Sequence, residues 1–106
     1  MIKKEQLIDL GFSKKEASVY LALLELGPSI TTEISRRAGI NRTTGYDILE
    51  SLVSDGLVNP IGETKIQKFT AENPEKIISF LENKIKHSQE KLKQAHILLP
   101  ELLSVY

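Results

Sequence analysis

The stretch GPSITTEISRRAGINRTTGYDILESLVSDG, Gly27 to Gly56, reads as two short helices joined by a tight turn, with a hairpin directly after them. The first helix covers about Thr32 to Arg37, with Ser29 and Thr31 each able to cap it. It closes at Ala38-Gly39, where glycine accepts the left-handed conformation that ends a helix. Ile40 is expected to be a buried anchor in the turn. Asn41 offers a side-chain oxygen as N-cap to a second helix of about four turns that ends at Gly56. That second helix carries Tyr46, Leu49, Leu52 and Val53 at spacings of three and four, which predicts one buried apolar face. Arg42, Thr43, Thr44 and Asp47 are left for the solvent side. Two helices held in this way across a glycine-containing turn form a helix-turn-helix.

Working outward, Lys3 to Leu10 is expected to be a short helix stopped by Gly11. Ser13-Lys14-Lys15-Glu16 is a capping box, with Ser13 as N-cap and Glu16 reaching back to it. The helix it opens places Ala17, Tyr20, Leu21 and Leu24 on one face, with Leu23 and Leu26 widening the stripe, and ends at Gly27-Pro28. Ser29-Ile30 is a short extended link that could serve as one strand of a small sheet. Downstream, Leu57-Val58 begins an extended segment, Pro60 to Glu63 is turn chemistry, and Thr64 to Thr70 returns as a second strand. A wing of that length completes a winged-helix domain over residues 1–72. Asn73-Pro74-Glu75 starts a further helix, with Asn73 as cap and Pro74 in the first turn.

From there the pattern becomes heptad. Ile78, Ile85, Leu92, Leu99 and Tyr106 take the a positions, and Leu81, Ser88, Ala95 and Leu102 the d positions. Such a stripe requires a facing helix. Residues 73–106 are therefore expected to form a coiled-coil helix that makes a homodimer, through Ile78, Leu81, Ile85, Leu92, Ala95, Leu99 and Leu102. Pro100 removes a backbone donor and crowds the carbonyl of His96, so a kink or an end to the regular helix is expected there. The fold class is mainly α: a winged helix-turn-helix with a small β-hairpin wing and a long C-terminal helix.

Composition narrows the function. The 106 residues contain no cysteine, which removes disulfides, thiolate metal sites and a cysteine nucleophile. No apolar run reaches the length of a membrane span and the N-terminus lacks a signal-peptide core, so a cytoplasmic protein with no membrane association is expected. His87 and His96 lack a carboxylate cluster at metal spacing, and no catalytic constellation is visible; neither an enzyme, a metal site nor a cofactor is expected. Fourteen basic and fourteen acidic side chains cancel, an unusual balance for a nucleic-acid binder. Between Thr31 and Glu72 there are five Lys/Arg against six Asp/Glu. Between Ser35 and Tyr46, however, Arg36, Arg37 and Arg42 occur with no acidic residue. Charges act over a Debye length of roughly 8–10 Å, so this local face can attract phosphate although the chain is neutral.

The segment from Leu10 to Val58 resembles the DNA-binding domain of the TrmB-type transcription regulators. The residues that carry the likeness are Gly11-Phe12-Ser13, Glu16-Ala17, Tyr20 to Leu24, Leu26-Gly27-Pro28, Glu33-Ile34, Gly39 to Thr43, Tyr46, Leu49, Leu52 and Gly56-Leu57-Val58. Phe69-Thr70-Ala71 with Asn73-Pro74-Glu75 resembles the family's exit from the wing. The resemblance covers roughly residues 7 to 81 and implies a winged helix that binds double-stranded DNA. Sugar-responsive members carry a large C-terminal ligand-binding domain; this chain ends after one helix, so no small-molecule effector is expected. Gly45 stands where a valine is common in the family, which would admit a close helix contact or soften the helix.

The candidate DNA-binding residues are Arg36, Arg37, Asn41, Arg42, Thr43, Thr44, Asp47, Lys65 and Lys68. Arg36 and Arg37 suit phosphates, with a pairing to a nearby Glu as the alternative for one of them. Arg42, Thr43, Thr44 and Asp47 suit base edges, against the alternative of an ordinary capped surface helix. Lys65 and Lys68 suit phosphates or the minor groove, against a solvated hairpin face. A winged-helix adaptor that binds protein without sequence-specific DNA binding is the competing function.

Overall fold

Local hydrogen bonding decides where the helices start. Ser13 Oγ accepts from the Glu16 amide at 3.1 Å while Glu16 Oε1 accepts from the Ser13 amide at 2.8 Å, so the expected capping box forms in full. In the computed structural model, which describes residues 1–62 and 65–106, this box opens α2 (Lys14–Leu26), preceded by α1 (Lys4–Asp9). The chain then runs β1 (Ser29–Ile30), α3 (Thr31–Ala38), α4 (Arg42–Ser54), β2 (Val58–Ile61), β3 (Lys68–Ala71) and α5 (Lys76–Val105). It divides into two units, Met1–Lys76 and Ile77–Tyr106.

In the first unit, α1, α3, α4 and β3 all pack against α2. Ala17, Val19, Tyr20, Ala22 and Leu23 of α2 are buried, whereas Leu24 is exposed and Leu21 only half-buried. The expected stripe is thus rotated, because a helix covered by several neighbours buries a broad arc that its own periodicity does not centre. Leu7, Phe12, Ile34, Leu49, Leu52, Leu57, Val58 and Phe69 complete the core. The Phe12 and Tyr20 rings meet at 5.4 Å in a tilted arrangement, a favourable geometry for aromatic quadrupoles. Burial pushes the Tyr20 phenol above its usual pKa.

The sheet has the order β1-β3-β2 and is antiparallel throughout. Ser29 pairs with Phe69 and Ile30 with Lys68 on one side of β3; Val58 pairs with Ala71 and Pro60 with Phe69 on the other. Pro60 is tolerated because β2 is an edge strand. The second wing strand begins only at Lys68 rather than Thr64; Lys65 to Gln67 form no strand, and the expected turn residue Glu63 and strand residue Thr64 lie outside the described residues. Between β3 and α5, Asn73 Oδ1 accepts from the Glu75 amide at 2.9 Å. The Lys76 amide donates to Asn73 O at 2.8 Å, so Asn73 makes the capping bond that its sequence position suggests, with Pro74 and Glu75 in a tight turn before the regular helix begins at Lys76.

The second unit is one helix of 30 residues, α5, with none of them buried. Pro100 lies inside it and the helix continues to Val105, so the proline does not end it. Ile78, Ile85, Leu92, Leu99 and Leu102 are each 46–60% exposed.

Candidate nucleic-acid interface

The turn between α3 and α4 is built as the sequence implies. Gly39 takes φ 76, ψ 30, the left-handed region, and the Ile40 amide donates to Ser35 O at 3.0 Å to close α3. Asn41 Oδ1 then accepts from the Thr44 amide at 2.8 Å and starts α4. The Asn41 side-chain oxygen is therefore engaged in capping, on an exposed residue. Ile40 is half-buried rather than a fully buried anchor, since one side of the turn stays open.

Where α4 crosses α3, Gly45 is buried against Ser35. A Cβ added to Gly45 would overlap the Ser35 hydroxyl and stand 3.0 Å from Ser35 Cβ. Gly45 thus serves a close helix contact, the first of the two roles open to it in the sequence. The Ser35 hydroxyl is buried with no hydrogen-bond partner, an orphaned polar group enclosed by the tight crossing. Gly45, Leu49 and Leu52 form the inward face of α4. That line leaves Tyr46 outside, at 44% exposure, which corrects the expectation that Tyr46 belongs to the buried face. The Glu50 carboxylate beside it, then partial desolvation and then the Asp47 charge hold its phenol above the usual pKa. Arg42, Thr43 and Asp47 are exposed and Thr44 is half-covered.

An open cleft of about 510 Å³ lies beside this face, between the starts of α3 and α4 and the wing. Ile30 to Thr32, Arg42, Thr43, Tyr46, Lys65 to Gln67 and Phe69 line it. The structure therefore brings Lys65 to Arg42 and Thr43, while Lys68 does not line the cleft. The first residues of α3 (Thr31, Thr32) and of α4 (Arg42, Thr43) both line it, positions whose amides have no partner within the helix. The start of α3 follows Ile30, which makes no side-chain cap; neither Ser29 nor Thr31 is the cap expected from sequence. The Ser29 hydroxyl instead donates to Gly27 O at 2.9 Å. Thr31, Thr32, Tyr46 and Gln67 join the cleft although the sequence does not mark them as site residues, because nothing in their local pattern links α3 to the wing.

Arg36 and Arg37 sit at the opposite end of α3, in its last turn, away from the cleft. Arg37 Nη2 is 3.6 Å from Glu25 Oε2 with both side chains about half exposed. This is the anticipated pairing of one arginine with a glutamate, and a solvent-exposed pair of this kind contributes little stability. Among the described residues no group of His, Asp and Glu could hold a metal ion. Among them, too, no helix is long and apolar enough to cross a membrane.

Residues 7–75 match the family described as "Sugar-specific transcriptional regulator TrmB". The chain belongs to the TrmB family of transcriptional regulators. This TrmB-family chain is 34% identical over 91 residues to the HTH-type sugar sensing transcriptional regulator TrmBL1 of Pyrococcus furiosus, covering 86% of its own length and 26% of that relative's. It thus spans about a quarter of that protein. Its fold superposes on TrmBL2, an archaeal chromatin protein whose structure shows a novel mode of DNA binding, at a TM-score of 0.78 and 22% identity, over 97% of this chain and 43% of that one. A possible transcriptional regulator from Methanosarcina mazei Go1 matches at a TM-score of 0.65 and 14% identity, over 88% and 85% of the two chains. The winged-helix architecture is common to them.

Proposed function

We propose that the chain is a homodimeric transcription regulator that binds double-stranded DNA, with the start of α4 in the major groove. The observation that carries this reading is the cleft: the exposed start of α4, a wing lysine and the first residues of α3 border the same opening. A phosphate of the duplex backbone suits that opening, where Arg42, Lys65, the hydroxyls of Thr31 and Thr32 and the first amides of α3 surround it with donors. Arg42, Thr43 and Asp47 then face the neighbouring base edges. Arg36 and Arg37 contact phosphates farther along the backbone. The relatives lend DNA-binding regulation to this reading. Their sugar sensing is left aside, because the matched residues 7–75 hold the winged helix. The adaptor alternative draws no support from relatives that are themselves transcriptional regulators.

The test is a salt titration of binding to duplex DNA. Arg42→Ala and Lys65→Ala should each lower the slope of log K against log salt by about two for the dimer, the effect of leaving one phosphate per protomer un-neutralised. If the double variant kept both the affinity and the slope of the unmodified chain, the cleft would not be the phosphate seat. If the unmodified chain bound duplex DNA with no salt dependence, the DNA-binding reading itself would fail.

A further inference from the structure

The heptad stripe of α5 is long, continuous and uncovered, yet its two rows are unequal. The a row carries Ile78, Ile85, Leu92 and Leu99, whereas the d row has Ser88 and Ala95 in its middle. A parallel pair would set Ser88 against Ser88 and Ala95 against Ala95 in successive d layers, leaving a void on each side of the Leu92 layer in a seam that must pack to interior density. We propose that α5 pairs antiparallel with α5 of a second copy of this chain. The inference rests on the dimer of the preceding reading and adds its direction and register.

In an antiparallel seam, a positions meet d positions. With the whole stripe overlapped, Ile78 lies against the partner's Leu102, Leu81 against the partner's Leu99, Ile85 against the partner's Ala95, and Leu92 against the partner's Ser88. Every small residue then faces a large one, and both rows fill. A slip of one heptad in one direction leaves Leu99 and Leu102 unpaired; in the other it leaves Ile78 unpaired and sets Leu81 against the partner's Tyr106, which lies beyond the end of α5, so the full overlap is the register that keeps the whole helical stripe paired. The flanking positions agree. Glu82 faces the partner's His96 twice by symmetry, an acceptor against a donor. A parallel pair would instead set Lys91 beside the partner's His96, and Lys84 beside the partner's Gln89, with no acidic partner for either lysine. Lys84 lies 4.5 Å over the Phe80 ring of its own helix, whichever way the pair runs. The one like-charge contact is Lys91 with the partner's Lys91 at the two-fold axis, where long side chains diverge into solvent.

The direction sets the spacing of the two helix starts. At 1.5 Å per residue the two Ile78 residues stand about 36 Å apart along the seam. A parallel pair would bring them side by side.

The cysteine-free chain suits distance measurement between nitroxides on single cysteines. Asn83→Cys, Glu90→Cys and Ser104→Cys all lie on the outward f row and are exposed. Along the seam the antiparallel register separates the two labels by about 0 Å at position 90, about 21 Å at 83 and about 42 Å at 104. Pulsed dipolar spectroscopy of the full chain should therefore give its shortest distance for Glu90→Cys and its longest for Ser104→Cys. Equal short distances at all three positions would establish a parallel pair and overturn the inference while keeping the dimer. No intermolecular distance at any position would overturn the dimer reading, and the inference with it.

Discussion

The crossing of α3 over α4 offers the sharpest test of how the reading helix is held. In Gly45→Ala the new Cβ meets Ser35 Cβ at 3.0 Å and overlaps its hydroxyl. Ser35 is only 2% exposed, so the hydroxyl has little room to swing away and the helices must part. Overpacking of that kind costs typically about 1–3 kcal/mol. Against it stands a gain of about 1 kcal/mol from replacing a mid-helix glycine with alanine, which leaves a net loss of up to about 2 kcal/mol. The two contributions separate in a Ser35→Gly background, where the obstructing side chain is gone. There the same Gly45→Ala change should stabilise by about 1 kcal/mol. The measurement is a double-mutant cycle by urea unfolding, followed by circular dichroism at one fixed protomer concentration, since association shifts apparent stability. A coupling energy of about 1–3 kcal/mol with unchanged m is expected. If the two substitutions were additive within about 0.5 kcal/mol, Gly45 would not be there for Ser35, and the close crossing would not govern the pose of α4.

Replacing Leu92 and Leu99 with Asp should put unpaired charges into the α5 seam at a cost of several kcal/mol, turning a dimer into a monomer in sedimentation at micromolar concentration. A monomeric unmodified protein under those conditions would rule out the dimer. Asp47→Ala should relax preference at one base pair by about 1–3 kcal/mol while non-specific binding holds or tightens, measured against a panel of single-base operator variants. An equal loss for every sequence would instead assign Asp47 a structural role.

Much of the domain is legible in the sequence because its punctuation is local. The Ser13–Glu16 box, the Asn41 cap and the left-handed Gly39 each depend on backbone groups within a few residues, so side-chain type and spacing suffice to place them. The same holds for the α5 stripe, whose seven-residue repeat exposes an apolar row whatever else the chain does. The features that the sequence misplaces are those that neighbours decide. The spacing of Tyr46 to Leu49 and Val53 suits an apolar face. Tyr46 lies outside because the tight crossing at Gly45 draws the line Gly45–Leu49–Leu52 inward and turns the next residue toward the cleft.

The candidate site divides along the same line. From the sequence alone came the helix-turn-helix, the exposed start of α4 and one acid-free run of Arg36, Arg37 and Arg42. The tertiary structure split that run, leaving Arg36 and Arg37 in the last turn of α3 and bringing Arg42 to Lys65 across the cleft. Adjacency along a chain constrains φ, ψ and caps, which act within one helical turn. Which charges share a surface depends on how helices cross and how β3 brings the wing back beside α3, and those contacts join residues far apart in sequence.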